Sequence, residues 1–269
     1  MNKKIGILGC GWLGLPLAKS LIDDKRTVFG TTTSDSKIEL LHKANIVPYT
    51  IDLTENGIKG NIKGFLAELD LLIINVPPKL RSAPKESYIK KMQHLYDEIK
   101  KTSLGRIIFI SSTSVYGDIE GRVTEDSHTR PNTESGKQLL AAENIFLNDG
   151  SLITTIIRFG GLIGPSRHPV TILAGKTDLS NGNDPVNLIH LNDCIGIIKL
   201  VINGNWENKV VNGVHPLHPT KEAYYTSEAL KRGLLPPIYS KNSDKIGNKS
   251  IESKYLNVKI YPYNTSIVS

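Results

Sequence analysis

The sequence predicts an α/β protein with a doubly wound parallel sheet and a smaller C-terminal region. Short apolar runs alternate with segments of helical periodicity along most of the chain, and a glycine-rich turn follows the first apolar run. Ile, Leu, Val and Gly are plentiful, whereas aromatic residues make up only 6% of the chain, which suits a sheet buried on both faces. With 269 residues, 39% of them hydrophobic, the chain can form one sizeable core and a smaller annex.

The strands are predicted where short apolar runs end at glycine, proline or polar residues. Six runs have this form: Lys3 to Gly9, Arg26 to Gly30, Ile46 to Leu53, Leu71 to Pro78, Arg106 to Ser112 and Ser151 to Phe159. Helical periodicity predicts helices directly after the glycine-rich turn and at Ser36 to Ala44, Pro84 to Lys101 and Thr133 to Asn148. Alternation at this spacing indicates βαβ units and a parallel sheet, whose ligands bind at the carboxyl ends of the strands.

The glycine-rich turn "GCGWLG" places Gly9, Gly11 and Gly14 in the G-x-G-x-x-G spacing, between the first strand and a helix. Gly9 would allow a tight turn, Gly11 would let the backbone approach a pyrophosphate, and Gly14 would let the helix pack against the strand. Trp12 and Leu13 lie inside this turn and would face the phosphates together with the helix N-terminus. This context favours a dinucleotide site and a Rossmann-like fold over a glycine-rich turn without a ligand.

The end of the second strand indicates which dinucleotide binds. Proteins built for NAD usually carry Asp or Glu here to hold the ribose hydroxyls. This chain carries four hydroxyl residues there instead: Thr31, Thr32, Thr33 and Ser34. Lys37 follows them closely. Hydroxyls and an ammonium group can bind a 2′-phosphate that a carboxylate would repel. NADP is therefore the predicted cofactor, and NAD stays open because a small shift in register would make Asp35 the ribose ligand.

The organisation of the chain follows from these elements. Residues 1–160 are predicted to form the dinucleotide-binding domain, which residues 186–213 rejoin, and residues 161–269 to form a small substrate-binding region or lid. The crevice at the carboxyl ends of the strands should be lined by Asn75 and Val76, at the end of the fourth strand, and by Ser111, at the end of the fifth.

Composition and charge restrict the partners. The net charge of +7 is spread over lysines interleaved with Asp and Glu, so we expect a solvated surface and a small anionic ligand rather than nucleic acid. Cys10 and Cys194 offer neither a disulfide framework nor metal-ligand spacing, and they fit a reducing cytoplasm. The apolar N-terminal stretch imitates a signal peptide poorly because glycines interrupt it, and no segment approaches the ~18 apolar residues of a membrane span.

The stretch "RPNTESGKQLLAAE" (Arg130 to Glu143) contains a Gly-Lys pair that would suit the end of a P-loop. A P-loop needs glycine five residues before Gly136 and Ser or Thr directly after Lys137. Pro131 and Gln138 occupy those positions, so the P-loop interpretation fails.

The segment "FISSTSVYGD" (Phe109 to Asp118), together with the glycine-rich turn, resembles the extended short-chain dehydrogenase/reductase family. Its members are NAD(P)-dependent epimerases and dehydratases of nucleotide sugars. "RFGGLIGPSRHP" (Arg158 to Pro169) and "NLIHLNDCIGII" (Asn187 to Ile198) resemble later segments of the family, and the likeness extends from about Lys3 to about Asn212. The chain is most similar to a short subgroup described loosely as nucleotide-sugar epimerases.

The resemblance implies a catalytic serine and a Tyr-x-x-x-Lys pair. The family's Ser or Thr that bonds the reacting oxygen lies three residues before the valine of "VYG", which is Ser112 here. The family lysine, which also holds the nicotinamide ribose, matches Lys137, so that Thr133 stands where the tyrosine would be. An aliphatic hydroxyl is too weak an acid to replace a phenol of pKa about 10, and Tyr116 is therefore predicted as the substitute proton carrier. Weaker candidates are His190 and Tyr88.

The resemblance also implies that the loop after Gly164 closes over the substrate. Arg167 and His168 on this loop, with Arg81 after the fourth strand, would bind an anionic group. No metal site is predicted, because His215 and His218 have no Cys or carboxylate at ligand spacing.

Two functional hypotheses follow from these features. The first is an NADP(H)-dependent oxidoreductase or epimerase acting on a small anionic substrate such as a nucleotide sugar. The alternative, which the missing tyrosine favours, is a catalytically weak NADP(H)-binding sensor or protein-interaction module. A homodimer through the helices Pro84 to Lys101 and Thr133 to Asn148 is an analogy with the family.

Overall fold

The computed structural model describes residues 3–78, 86–240 and 248–268. Its strands are β1 (Lys4–Leu8), β2 (Thr27–Thr32), β3 (Val47–Thr54), β4 (Gly57–Gly60), β5 (Leu71–Ile74), β6 (Arg106–Ser112), β7 (Arg122–Val123), β8 (Ile153–Phe159), β9 (Gly161–Ile163), β10 (Leu188–His190), β11 (Val210–Gly213) and β12 (Ser250–Ile251). Its α-helices are α1 (Gly14–Asp23), α2 (Ile38–Lys43), α3 (Ile62–Leu66), α4 (Tyr88–Ile99), α5 (Glu134–Leu147), α6 (Val170–Leu173), α7 (Leu191–Asn203) and α8 (Lys221–Lys231). None of the helices in these ranges has the length and apolar character needed to cross a membrane.

Within the described ranges, eight strands form one sheet in the order β11-β8-β6-β5-β1-β2-β3-β4. Neighbouring strands pair in parallel except β3 and β4, which form an antiparallel hairpin at one edge. Chain order runs outward from β1 in both directions, so the sheet is doubly wound and its order reverses between β1 and β5. The predicted fold class is confirmed, and the binding crevice is expected at the carboxyl ends of these two strands.

Side chains alternate between the two faces of the sheet and create an apolar layer on each. Leu8 of β1 and Phe109 of β6 pack on one face with α4 and α5. Their neighbours Ile7 and Ile108 pack on the opposite face with α1 and α7. All four side chains are at most 1% exposed, and each such burial stabilises the fold by roughly 1.5–3 kcal/mol. The near-continuous apolar runs of the sequence are therefore explained by helices on both sides.

Several short elements were not predicted from the sequence, and two differences lie beside the predicted strands of the sheet. The edge strand β4 was not predicted, because two glycines with positive φ, Gly57 (φ 141°) and Gly60 (φ 99°), bound a strand of only four residues. The helix expected over 36–44 is a 3-10 turn, Asp35–Lys37, followed by the short α2. The first residues of the helix expected over 84–101 lie outside the described part of the chain; α4 begins at Tyr88, and Ser87 caps it by accepting from the Lys90 amide at 3.3 Å.

The smaller C-terminal region contains the parallel pair β9–β10 and helices α6 and α8, packed around a separate cluster that includes Val170 and Tyr224. The chain segment 248–268 contacts both regions: Ile267 packs in the cluster of the small region, whereas Leu256 and Tyr261 pack against the sheet domain. Its strand β12 pairs with β7, and Tyr261 packs with α7. The fully buried carboxylate of Asp193 holds this segment, accepting from the Tyr261 hydroxyl at 3.0 Å and the Asn264 amide at 2.7 Å. The last part of the chain therefore bridges the two regions, and β12 and β7 form a two-stranded sheet of their own.

Candidate active site

The glycine-rich turn lies where β1 ends, at the point where the strand order reverses. Gly9 has φ 104°, and its amide donates to the Thr31 hydroxyl at 2.9 Å, while the Asn75 amide group donates to the Gly9 carbonyl at 3.0 Å. A Cβ atom at Gly14 would lie 2.1 Å from the Gly9 carbonyl oxygen, so α1 can approach the turn only because residue 14 is glycine. A Cβ at Gly11 would meet nothing within 4 Å. The turn is held from β2 and β5 and open on the side of Gly11.

This geometry fits a dinucleotide pyrophosphate. The helix α1 begins inside the turn, directly after Leu13, so the positive end of the helix dipole lies at the turn. Asn75 and Val76, predicted to line the crevice, are half-buried directly after β5. The Val76 carbonyl accepts from the buried hydroxyl of Tyr88 at 2.7 Å, which fixes the start of the chain after β5.

At the end of β2 the predicted hydroxyl cluster divides into two groups. Thr31 is buried and its hydroxyl serves the glycine-rich turn, and the Thr32 hydroxyl accepts from the Ser34 amide at 3.2 Å. The prediction that these two hydroxyls face a cofactor phosphate is therefore corrected, because both are used inside the protein. Thr33 is exposed, and the Asp35 carboxylate accepts from the Thr50 hydroxyl on β3 at 2.8 Å.

At the end of β6 the two serines point in different directions. Ser111 is 6% exposed and donates to the Glu143 carboxylate at 2.5 Å, so its predicted cofactor contact is replaced by a contact in the interior. Glu143 also receives a bidentate bond from the Arg158 guanidinium, at 3.1 and 2.6 Å. Ser112 is half-buried, and its hydroxyl oxygen accepts from the Ser114 amide at 3.2 Å. Among the residues that the structure describes, the Ser112 hydroxyl proton has no acceptor.

Tyr116 does not have the surroundings of a proton carrier. Its side chain is completely buried, its hydroxyl donates to the Asn212 side chain at 2.9 Å, and the Arg158 guanidinium lies 5.0 Å from its ring centroid. Burial raises the pKa of the phenol despite the nearby guanidinium. The prediction that Tyr116 replaces the missing tyrosine is corrected, because the group is packed away from the crevice. The weaker candidate Tyr88 is likewise fully buried, and burial raises its pKa strongly.

The orientation of α5 does not place Thr133 and Lys137 where a Tyr-x-x-x-Lys pair would face the sheet. Thr133 is the N-cap, accepting from the Gly136 amide at 3.1 Å, and Lys137 is exposed. The face of α5 that meets the sheet carries Leu139, which is 5% exposed, and Glu143, which is fully buried. With about 100° of rotation per residue, Lys137 lies roughly 200° from Leu139 around the helix. The proposed match of Lys137 to the family lysine is therefore corrected.

A Tyr-x-x-x-Lys pair facing the sheet would instead occupy positions 135 and 139, which are Ser135 and Leu139. These positions precede Glu143 by eight and four residues, so all three lie along one stripe of the helix. The burial of Glu143, which marks this face, is visible only in the structure. The described helix thus presents neither a phenol nor an ammonium at this face.

The basic residues predicted to bind substrate also separate. The exposed Arg167 lies over the glycine-rich turn, with its Cζ atom 4.9 Å from the Trp12 ring centroid. His168 is buried in the small region, where its Nε2 lies 3.0 Å from the Tyr224 hydroxyl, and burial lowers its pKa to about 4. His168 is therefore a structural residue here, contrary to the prediction, and Arg81 lies outside the described residues. His190 caps α7, its Nδ1 accepting from the Asn192 amide at 3.2 Å.

An open glycine-rich turn at the switch point of a doubly wound sheet defines a dinucleotide-binding α/β protein. Comparison with known proteins identifies its family. Residues 5–178 match the NAD dependent epimerase/dehydratase family. Protein YeeZ of Escherichia coli (strain K12) is 35% identical over 251 residues, which cover 93% of this chain and 91% of YeeZ. The chain therefore belongs to the NAD-dependent epimerase/dehydratase family, and the prediction of an NAD(P)-dependent enzyme of the epimerase and oxidoreductase type is confirmed.

Solved structures show the same fold at low sequence identity. UDP-glucuronic acid 4-epimerase from Bacillus cereus, in complex with UDP-glucuronic acid and NAD, matches with a TM-score of 0.76 and 17% identity, covering 98% of this chain and 95% of that one. UDP-glucose 4-epimerase from Thermotoga maritima, with UDP-glucose, matches with a TM-score of 0.75 and 18% identity, covering 92% of this chain and 89% of that one.

In the described part of the chain, no three His, Cys, Asp or Glu side chains come together in a way that could hold a metal ion.

Proposed function

We propose that this protein is an NADP(H)-dependent oxidoreductase or epimerase that acts on a small anionic substrate of the nucleotide-sugar class. The observation that carries the proposal is the glycine-rich turn at the strand-order reversal, held by Thr31 and Asn75 and open at Gly11. The substrate class is supported by the fold, which is shared with enzymes solved together with UDP-glucose and UDP-glucuronic acid. The net charge of +7 suits an anionic ligand.

The preference for NADP over NAD is supported by the residues after β2. Asp35 is the acidic residue nearest the end of this strand, and its carboxylate is bonded to Thr50 on the neighbouring strand β3. Thr33 and Lys37 are exposed in the same segment, and Ser34 is half-buried. A hydroxyl and an ammonium there can bind a 2′-phosphate, and this reduced set replaces the four-hydroxyl cluster predicted from the sequence.

The cofactor proposal is tested by measuring the affinities for NADPH and NADH by calorimetry. We expect NADPH to bind at least about tenfold more tightly, a difference of about 1.4 kcal/mol. Lys37→Met should reduce the preference, whereas Lys43→Met, at an exposed lysine of α2 paired with Glu39, is the matched control. Equal affinities for NADPH and NADH would contradict the NADP proposal. A preference for NADH that is lost in Asp35→Ala would identify NAD as the cofactor and Asp35 as its ribose ligand.

The chemistry open to this site depends on Ser112. A bound nicotinamide would supply hydride transfer at a carbinol or ketone carbon. The Ser112 hydroxyl, which already accepts from the Ser114 amide, can donate to the oxygen on that carbon and stabilise its developing charge. Because Ser135 and Leu139 face the sheet on α5, this helix face would not supply the accompanying proton, which would be exchanged with water or with a group on the substrate. Turnover slower than that of enzymes with the complete pair is expected.

A second candidate is favoured by the same helix face. A protein with an intact dinucleotide site and no acid–base pair can serve mainly as a catalytically weak NADP(H)-binding module. The two candidates are separated by mixing enzyme and NADP⁺ or NADPH with UDP-glucose and UDP-glucuronic acid, then following nicotinamide absorbance and epimer formation. Turnover that Ser112→Ala abolishes would support the enzyme. Tight NADPH binding without detectable turnover of either sugar would support the binding module.

The proposal of a homodimer concerns the outer faces of α4 and α5, which pack side by side on one face of the sheet. Ile89 on α4 is 38% exposed on this surface. Light scattering on the purified protein should give twice the chain mass of 29.6 kDa if this surface forms a dimer. Ile89→Glu should then shift the mass to that of a monomer.

A further inference from the structure

The loop after β9 rests on the glycine-rich turn. Trp12 donates from its indole Nε1 to the Pro165 carbonyl at 2.9 Å. A Cβ atom at Gly164 would lie 3.1 Å from the indole ring, so the ring packs directly on the loop backbone. The Arg167 guanidinium covers the ring, at 4.9 Å from its centroid. Residues 164–167 thus present a cation to the turn that is predicted to bind phosphate.

The glycine-rich turn needs such a cation. Residues 9–14 include no basic side chain, and the N-terminus of a helix contributes only about half a positive charge. A pyrophosphate carries two negative charges. Arg167 is exposed and, in the described ranges, lies within ion-pair distance of no carboxylate. Its charge is therefore not neutralised, although the side chain is held in place by stacking.

We propose that Arg167 is a ligand of the dinucleotide pyrophosphate, so that the loop 164–167 forms one wall of the cofactor site. The inference rests on the proposed function and reassigns Arg167, which the sequence analysis gave to the substrate. The planar guanidinium suits phosphate oxygens because it donates two parallel hydrogen bonds. Stacking on Trp12 restricts its rotamers before the ligand arrives, which lowers the entropy lost on binding.

The proposal links the two regions of the protein. The loop 164–167 leads directly into α6, which packs with α8 in the small region. Trp12 belongs to the turn between β1 and α1. A dinucleotide bound by both would hold the small region against the sheet domain.

The experiment compares Arg167→Met, which keeps an apolar chain over Trp12, with Arg167→Lys, which keeps the charge. Affinities are measured by calorimetry for NADPH, for ADP-ribose, for UDP-glucose, and for adenosine 2′-phosphate, which lacks the pyrophosphate. Arg167→Met should weaken NADPH and ADP-ribose about tenfold each and leave adenosine 2′-phosphate unchanged, and Arg167→Lys should lose less. Arg232→Met is the matched control, since Arg232 is exposed at the end of α8 and paired with Glu228.

The possible outcomes separate this inference from the proposed function. Unchanged NADPH affinity in a folded Arg167→Met variant would overturn it, as would an equal loss for adenosine 2′-phosphate. A loss confined to UDP-glucose binding would overturn it as well and return Arg167 to the substrate. If the unaltered protein binds no dinucleotide, the proposed function fails and this inference falls with it. Trp12→Phe, which keeps a ring but deletes the Nε1 bond to Pro165, should show a smaller loss than Arg167→Met.

Discussion

The two ends of the crevice differ in how they are built. At β1 and β2 the glycine-rich turn is held by backbone and side-chain hydrogen bonds from Thr31 and Asn75, and it is open at Gly11. At β6 and α5, the proposed role of Ser112 would need a partner for proton transfer, and the face of α5 that meets the sheet carries Ser135 and Leu139. The glycine-rich turn therefore has its supporting contacts, whereas this face of α5 carries neither a phenol nor an ammonium group.

The difference reflects what each task demands. Pyrophosphate binding uses backbone amides and a helix terminus, so it depends on turn geometry and tolerates many side chains nearby. Proton transfer depends on a particular phenol and ammonium at particular positions on one helix face. Leu139 packs in the core with Phe146, so the helix is well anchored without the pair. The buried Ser111–Glu143–Arg158 network fixes the orientation of this helix face.

The largest effect is expected at the glycine-rich turn. Gly11→Val should weaken NADPH binding by roughly a thousandfold or more, because a side chain there fills the space through which the backbone approaches the pyrophosphate. The thermal midpoint should stay unchanged, since the new Cβ meets nothing within 4 Å. Gly14→Ala is the contrasting variant, and it should destabilise the fold because its Cβ would lie 2.1 Å from the Gly9 carbonyl oxygen. Unchanged calorimetric affinity in folded Gly11→Val would place the ligand elsewhere.

The next largest effect is expected at Ser112. Ser112→Ala should lower kcat/KM by roughly a hundredfold or more, because single donors to a developing oxyanion are worth roughly 3–4 kcal/mol. NADPH affinity should not change, since the lost donor faces the reacting oxygen. Steady-state kinetics with the best substrate found, together with calorimetry, separate the two quantities. A variant with full activity would show that the family serine has no role in this chain.

A smaller effect is expected for Tyr116→Phe, which tests whether this tyrosine belongs to the core or to the chemistry. Loss of the hydrogen bond to Asn212 leaves a buried amide oxygen without its partner and should cost about 1–2 kcal/mol of unfolding free energy. The measurement is urea denaturation. We expect kcat to fall by no more than about threefold, which corresponds to about 0.7 kcal/mol. A large fall in kcat with unchanged stability would return Tyr116 to the role of proton carrier.

The sheet and the glycine-rich turn could be predicted because their signals are local: apolar runs of strand length, and glycines at fixed spacing between strand and helix. The direction of single side chains could not. The sequence around Thr31 shows a hydroxyl but does not show that the Gly9 amide uses it. Arg167 was predicted as a substrate ligand from the loop on which it lies, and its contact with Trp12 could not be predicted because the two residues are far apart in the chain. The register of α5 could not be predicted either, because the sequence does not show that Leu139 and Glu143 face the sheet.

The smallest effect is expected for Lys137→Met, and it decides the register of α5. Lys137 is exposed and lies away from the helix face that meets the sheet, so NADPH affinity and kcat/KM should change by less than about twofold, or about 0.4 kcal/mol. Thr133→Tyr would recreate a Tyr-x-x-x-Lys pattern with Lys137, yet it should not raise turnover. It should instead cost about 1 kcal/mol of stability, because the Thr133 side chain caps α5. A roughly tenfold loss of NADPH affinity in Lys137→Met, or a gain of turnover in Thr133→Tyr, would show that Thr133 and Lys137 occupy the pair positions after all.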